Sequence, residues 1–237
     1  MPDGLLDDGA GGSRKRQQLP EEVATYVRGL IFSGEVKPGD FLRIEPIAEA
    51  VSVSNTPVRE GLLTLRSEGF VRLVPRRGFV VAPFTPQDVH DLFWAQAKLA
   101  GELAARAAAK ITPTQLERLV TVHNLHKQAV ADGDVARVSE LGHAFHAEIN
   151  KAADSYRLAL LLNSIVKQLP STFAVTIEGQ IAASASKHRQ LVTTMRRHDS
   201  DKARSRMEQH TLEGAEHLIN TLNEQGIFGD GEKAAAS

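Results

Sequence analysis

The sequence predicts a mainly α protein in two parts: three short helices closed by a β-hairpin, then an all-helical bundle. Three observations carry this. Between residues 20 and 83, three amphipathic stretches precede two short β-branched runs, "FVRLV" and "GFVVA", joined by "PRRG". From Thr85-Pro86 to about Asn223 no strand signal remains, and alanine- and leucine-rich stretches succeed one another at helical spacing. The composition, 42% hydrophobic and 24% charged over 237 residues, suits one large or two small globular cores.

Taken in order, residues 1–19 are rich in Gly, Asp, Ser and Arg with little periodicity, which reads as a disordered arm. Its "RKR" at 14–16 is either a phosphate contact or a solvated tail. Val23, Tyr26, Val27, Leu30 and Ile31 make a first helix that ends near Ser33-Gly34. "KPGD" at 37–40 is a turn, and Ile44, Ile47, Ala48 and Val51 mark a short second helix. Ser54 then caps a third helix, with Pro57 tolerated in the first turn and Gly69 as its stop. Helices follow at 86–109, 113–131, 134–152, 155–168, 172–197 and from about 200 to 223. The expected domains are 20–83 and 84–226, with 227–237 a frayed tail.

Bulk properties exclude several classes. A net charge of -1 gives no global pull toward nucleic acid or anionic membrane, so any such binding must come from a local patch. The absence of cysteine removes disulfides and thiolate metal sites and suits a reducing cytoplasm. The N-terminus carries acidic residues where a signal peptide needs cations, and "LALLL" at 158–162 is far too short to span a bilayer. A cytoplasmic protein with no membrane partner is expected.

Three helices followed by a β-wing describe a winged helix-turn-helix, whose third helix enters the major groove of DNA. At the start of that helix Ser54, Asn55 and Thr56 suit phosphate oxygens or base edges, and a helix N-terminus itself attracts phosphate. Arg59, one turn in, can reach a guanine edge with two parallel hydrogen bonds. Arg76 and Arg77 beside Gly78 can reach the DNA backbone or an adjacent minor groove from the wing. Residues 20–83 hold eight Lys/Arg and eight Asp/Glu, so a protein-contact module is the competing reading.

In the second part, histidine placement is informative. His188 lies eleven residues before Asp199 and His210 eleven after, so an antiparallel pair hinged there puts both at one height, roughly 16 Å from the turn at 1.5 Å per residue. His146 sits on a separate helix, with His143 one turn earlier. Either these are unrelated core and surface histidines, or three imidazoles hold zinc or nickel with a position open for a ligand.

The stretch "SGEVKPGDFLRIEPIAEAVSVSNTPVREGLLTLRSEGFVRLVPRRGFVV" resembles the DNA-binding domain of the GntR family of bacterial transcription regulators. That family's pattern runs I-x-x-G-x-(L/V)-x-P-G, then L-A-x-x-L-G-V-S-R-T-P-V-R-E-A-L, then L-x-x-E-G and a wing with R-G. The resemblance implies that Arg59 reads a base while Ser54, Thr56, Arg77 and Gly78 contact DNA. The family's usual Arg is Asn55 here, a loss for which Arg43 or the "RKR" run can partly compensate. "ITPTQLERL", "FHAEINKAADSYRLALLL" and "KHRQLVTTMRRHDSDKARSRMEQH" are similar to the FCD domain, the helical effector module of the family's FadR-type branch. The resemblance implies metal ligation by His146, His188 and His210. The family's aspartate one turn before the first histidine is Gly142 here, leaving water, His143 or an effector to fill its place. The family's effector-pairing Arg is Gln96, which makes a carboxylate effector less assured.

The expectation is a homodimeric repressor, not an enzyme. It would bind a palindromic operator under the control of a small molecule, an organic acid lying against a His-bound divalent metal. Gln96, His143, His146, His188 and His210 would line the effector site. A metal-free, vestigial effector site is the alternative, and a three-histidine metal enzyme with an interaction module is the alternative of another class.

Overall fold

The computed structural model describes residues 9–169 and 181–228; of residues 9–17 and 181–184 only the backbone is described. The chain is mainly α, with nine helices and one small sheet among the described residues, and it divides into two compact units. Unit one comprises residues 1–85 and 222–237, and unit two residues 86–221.

Unit one begins with α1 (Gly9–Phe32), followed by β1 (Phe41–Leu42), α2 (Ile44–Val51), α3 (Asn55–Ser67), β2 (Val71–Val74) and β3 (Gly78–Val81). This is a winged helix-turn-helix. Val23, Ala24 and Val27 of α1 lie fully buried, as do Val58, Leu62 and Leu65 of α3. Gly61 lets α1 approach closely, since a Cβ there would stand 2.7 Å from the Pro20 carbonyl oxygen. After α3, Gly69 turns at φ +86° and Phe70 N–H donates to the Leu65 carbonyl at 3.0 Å, a left-handed helix stop. Arg28, 3% exposed, is held by Glu68 through two hydrogen bonds of 3.0 and 3.2 Å, so this cation belongs to the fold.

Three features of this unit differ from the sequence expectation. Helix α1 starts at Gly9, not after an arm ending at residue 19. The run Arg14 to Leu19 consists of good helix formers, and extending a nucleated helix is inexpensive. The hairpin gains a third strand, β1, giving the order β1-β3-β2 with Phe41 opposite Val80. Ile227 and Phe228 are not a free tail. Past a turn at Gly226, Ile227 is buried and Phe228 stacks on Phe84 with ring centres 6.4 Å apart. Phe84 in turn packs on Phe32 and Phe70 at 5.3 and 5.5 Å, and an apolar pair at a helix end takes that company over water.

Unit two contains α4 (Pro86–Lys110), α5 (Pro113–Asp132), α6 (Val135–Ala152), α7 (Tyr156–Val166), α8 (Ile181–Arg196) and most of α9 (Ser200–Glu224). The part of the predicted helix at 172–180 lies outside the described residues. Local signals set the boundaries. Thr112 and Gln115 form a reciprocal capping box at α5, Gly133 ends that helix at φ +69°, and Asp134 caps α6. Asp199 caps α9 by accepting from Lys202 N–H at 3.1 Å. The core gathers Leu103, Leu119, Phe145, Ile149, Leu191, Met195 and Met207, all at most 2% exposed. No helix among the described residues is long and apolar enough to cross a membrane.

Candidate functional site

Two groups of side chains deserve separate treatment, one in each unit. In unit one, α3 buries Val58, Gly61, Leu62 and Leu65 and turns the opposite face outward. Ser54, Asn55, Thr56 and Arg59 all lie exposed at its N-terminal end. Ser54 holds the cap position with extended backbone (φ -78°, ψ 169°), yet its side chain makes no capping hydrogen bond. The first N–H groups of α3 therefore stay available to an external acceptor. Among the described residues no carboxylate pairs with Arg59, in contrast with buried Arg28.

At the wing tip Arg76 is exposed at φ +62° and Gly78 takes φ +99°. Arg77 lies with its guanidinium 4.5 Å from the Phe41 ring centre, a cation–π contact that steers the charge along β1. Arg43, exposed, holds the N-cap position of α2.

In unit two the helices bring three histidines together: His146 from α6, His188 from α8 and His210 from α9. Their ring centres form a nearly equilateral triangle with sides of 5.4, 5.3 and 5.4 Å. The Nε2 atoms of His146 and His210 are 3.3 Å apart. His188 is fully buried, stacks on Phe145 at 4.1 Å, and has no hydrogen-bond partner at either ring nitrogen. His146 and His210 keep part of their surface toward solvent. Burial, with the neighbouring His210, His143 and His126, pushes the His146 pKa down to about 3. Burial, with Lys187 and His126, pushes His210 down to about 4. Burial holds His188 well below the usual histidine range. At neutral pH the three rings present neutral nitrogens, the form that binds metal.

Of the other predicted residues, His143 is exposed and stands outside the triangle. Gly142 is buried on α6 and offers no donor. Pairings between α4 and α9 join His90 to Glu216, Lys98 to Glu208 and Glu102 to Arg204, an antiparallel register that sets Gln96 level with His210. The Gln96 Oε1 is buried without a hydrogen-bond partner.

Sequence reasoning missed two histidines of α5. His126 is 0% exposed with its ring 4.8 Å from that of His188, and His123 is 8% exposed and 6.5 Å away. The signal was present, since Leu119, His123, His126 and Val130 are spaced four, three and four apart, which puts both histidines on the inward stripe.

Comparison with known families decides the class. Residues 19–81 match "Bacterial regulatory proteins, gntR family" and residues 91–213 match the FCD domain. The chain belongs to the GntR family. It is a DNA-binding transcriptional regulator with an FCD effector-binding domain. It is similar to the HTH-type transcriptional regulator YdhC of Bacillus subtilis, 23% identical over 84% of this chain and 90% of that one. The Glc operon transcriptional activator of Escherichia coli is 29% identical over 64% of this chain and 67% of its own. Among solved structures, E. coli McbR/YncC shares the fold with a TM-score of 0.63 at 21% identity, covering 87% of this chain and 98% of that chain. The families and relatives of this GntR regulator are transcriptional regulators, not enzymes, which removes the metal-enzyme alternative.

Proposed function

We propose that this GntR regulator is a cytoplasmic, homodimeric repressor whose hold on a palindromic operator is set by a small organic acid beside a histidine-bound divalent metal. On DNA, Ser54, Asn55 and Thr56 at the open N-terminus of α3 meet phosphate and base edges, and Arg59 reads a base. Arg76, Arg77 and Gly78 follow the backbone from the wing, and Arg43 adds a cation beside α2. Two copies present two recognition helices about 34 Å apart, one turn of the duplex, which is why the operator is palindromic. The observation that carries the DNA reading is the exposed Arg59 with no carboxylate partner among the described residues, at a helix end left without a side-chain cap.

The metal reading rests on the fit of the donor set. Three nitrogens on one zinc at about 2.0–2.1 Å in a tetrahedron stand roughly 3.3 Å apart, with ring centres roughly 5 Å apart. The His146–His210 nitrogen separation of 3.3 Å and the triangle of 5.3–5.4 Å match both values. The two partnerless nitrogens of buried His188 are a further argument, because such groups are costly unless something binds them. Zinc or nickel would supply a Lewis-acidic site with room for an effector oxygen. Gln96, level with His210, gives an amide where an effector can hydrogen-bond, and exposed His143, one turn before His146 on α6, offers a further imidazole. An effector changes operator affinity only by binding the two poses of the dimer unequally.

Metal analysis of untagged protein and of His188→Ala tests the site. Stoichiometric metal in the parent and its loss in the variant support it; no metal in either leaves a vestigial effector site. A reporter behind the regulator's own promoter tests the direction of control, with higher expression on deletion of the regulator as the expected result and lower expression marking an activator.

A further inference from the structure

The ring of His188 is enclosed on every described side. Phe145 covers one face at 4.1 Å, and His146 and His210 stand edge-on at 5.4 Å. Two histidines of α5 complete the surroundings: His126, fully buried, with its ring 4.8 Å away and tilted by 56°, and His123, with its ring 6.5 Å away. His126 meets the triangle through the ring of His188, and toward His146 and His210 it acts electrostatically.

We infer that His126 is a positioning residue, which accepts a hydrogen bond from the ring nitrogen of His188 that does not face the metal and so fixes that ring's orientation. The inference rests on the three-histidine metal reading. A neutral imidazole that binds metal through one nitrogen carries its proton on the other, and that N–H needs an acceptor. The usual acceptors are a carboxylate, a backbone carbonyl or water. Neither nitrogen of His188 bonds to any of these among the described residues, and the ring has no exposed surface through which to reach bulk water. His126 brings an imidazole into contact range, with ring centres 4.8 Å apart, and a neutral imidazole has one nitrogen that accepts. Two consequences follow from residues already described. With Gly142 offering no donor, the three imidazoles hold a metal without a carboxylate, so the orientation of each one counts for more. The tautomer of His188 is also chosen by its neighbour on α5, a helix that contributes no ligand to the triangle.

The test uses the untagged full-length chain, with cobalt(II) and zinc(II) as probes. Cobalt absorption reports ligand geometry, and competition with a chromophoric chelator gives zinc affinity. His126→Phe keeps a ring and removes both nitrogens; His126→Gln keeps an acceptor. Expected are a loss of zinc affinity of about 10–100-fold and an altered cobalt spectrum in His126→Phe, with the metal-free thermal midpoint unchanged or raised, and recovery of most of the affinity in His126→Gln. Equal zinc affinity and spectrum in His126→Phe and the parent overturn the inference while leaving the metal site standing. Equal loss in the Phe and Gln variants also overturns it, since that points to packing. If the parent itself binds neither metal, the metal reading fails and this inference with it. Should His126→Phe not fold, His126→Met replaces it, and equal affinity in the Met and Gln variants gives the same refutation.

Discussion

Acid should weaken the metal-free helical unit well before its carboxylates titrate. The perturbation is a fall from pH 7.5 to 5.0 in protein stripped with a chelator. The His146 pKa is pushed down to about 3 and the His210 pKa to about 4, burial being the first cause of each, whereas an unfolded histidine titrates near 6.5. Between 6.5 and these values the unfolded chain binds protons that the folded chain refuses. Stability is therefore whole above pH 6.5 and declines as pH falls below it. Each histidine loses about 1.4 kcal/mol per pH unit, so at pH 5.0 the pair has lost about 4 kcal/mol, an upper figure because both rings keep some exposure. His188, also depressed by burial, works in the same direction. Glu102, Glu148 and Asp199, whose pKa values are lowered by hydrogen bonds to Arg106, Lys151 and Lys202, lose their contribution only as pH falls below the usual carboxylate range. Urea unfolding followed by the fluorescence of Trp94, the single tryptophan and a residue of this unit, reads the change. A midpoint that stays level or rises between pH 7.5 and 5.0 refutes the reasoning; replacing His146 and His210 by Asn should flatten the dependence.

Three further outcomes concern the winged unit. Gly61→Ala puts a Cβ 2.7 Å from the Pro20 carbonyl oxygen and 2.8 Å from Val23 Cγ1, so α1 must shift from α3. The expected cost is about 1–3 kcal/mol, seen as a lower thermal midpoint with weaker DNA binding. Glu68→Ala leaves the Arg28 guanidinium buried with Glu21, at 3.9 Å, as its remaining carboxylate among the described residues, for a loss of about 3 kcal/mol. Hydrogen exchange should read that loss as amides of α1 and α3 exchanging about 100-fold faster. Asn55→Arg adds a cation at the start of α3, and the slope of log affinity against log salt should steepen by about 0.9 if it meets a phosphate.

Much of this architecture is legible in the sequence because it rests on local signals. The helices expected at 86–109, 113–131 and 134–152 end within a residue or two of those observed, where Thr112 and Asp134 cap and Gly133 stops the chain locally, and Gly69 is the stop expected of it. The equal offset of His188 and His210 from Asp199 relies only on helix rise and a short turn, and the rings stand 5.4 Å apart. Features made by distant partners were not legible. β1 is two residues long and becomes a strand only by pairing with β3. Ile227 and Phe228 gain their place from Phe84, some 140 residues earlier in the chain. Arg28 reads as one more surface cation until Glu68 is brought beside it. His123 and His126 fall on an apolar stripe, where pattern alone does not distinguish an inert core histidine from one facing a polar centre.

The most direct measurement is the affinity of Arg59→Ala for a palindrome from the regulator's own promoter region, by fluorescence anisotropy over a salt series. With circular dichroism unchanged, the account predicts a loss of about 1–3 kcal/mol, roughly 5- to 150-fold, together with weaker discrimination against a scrambled duplex. Parent-like affinity and discrimination in a folded Arg59→Ala protein would contradict it.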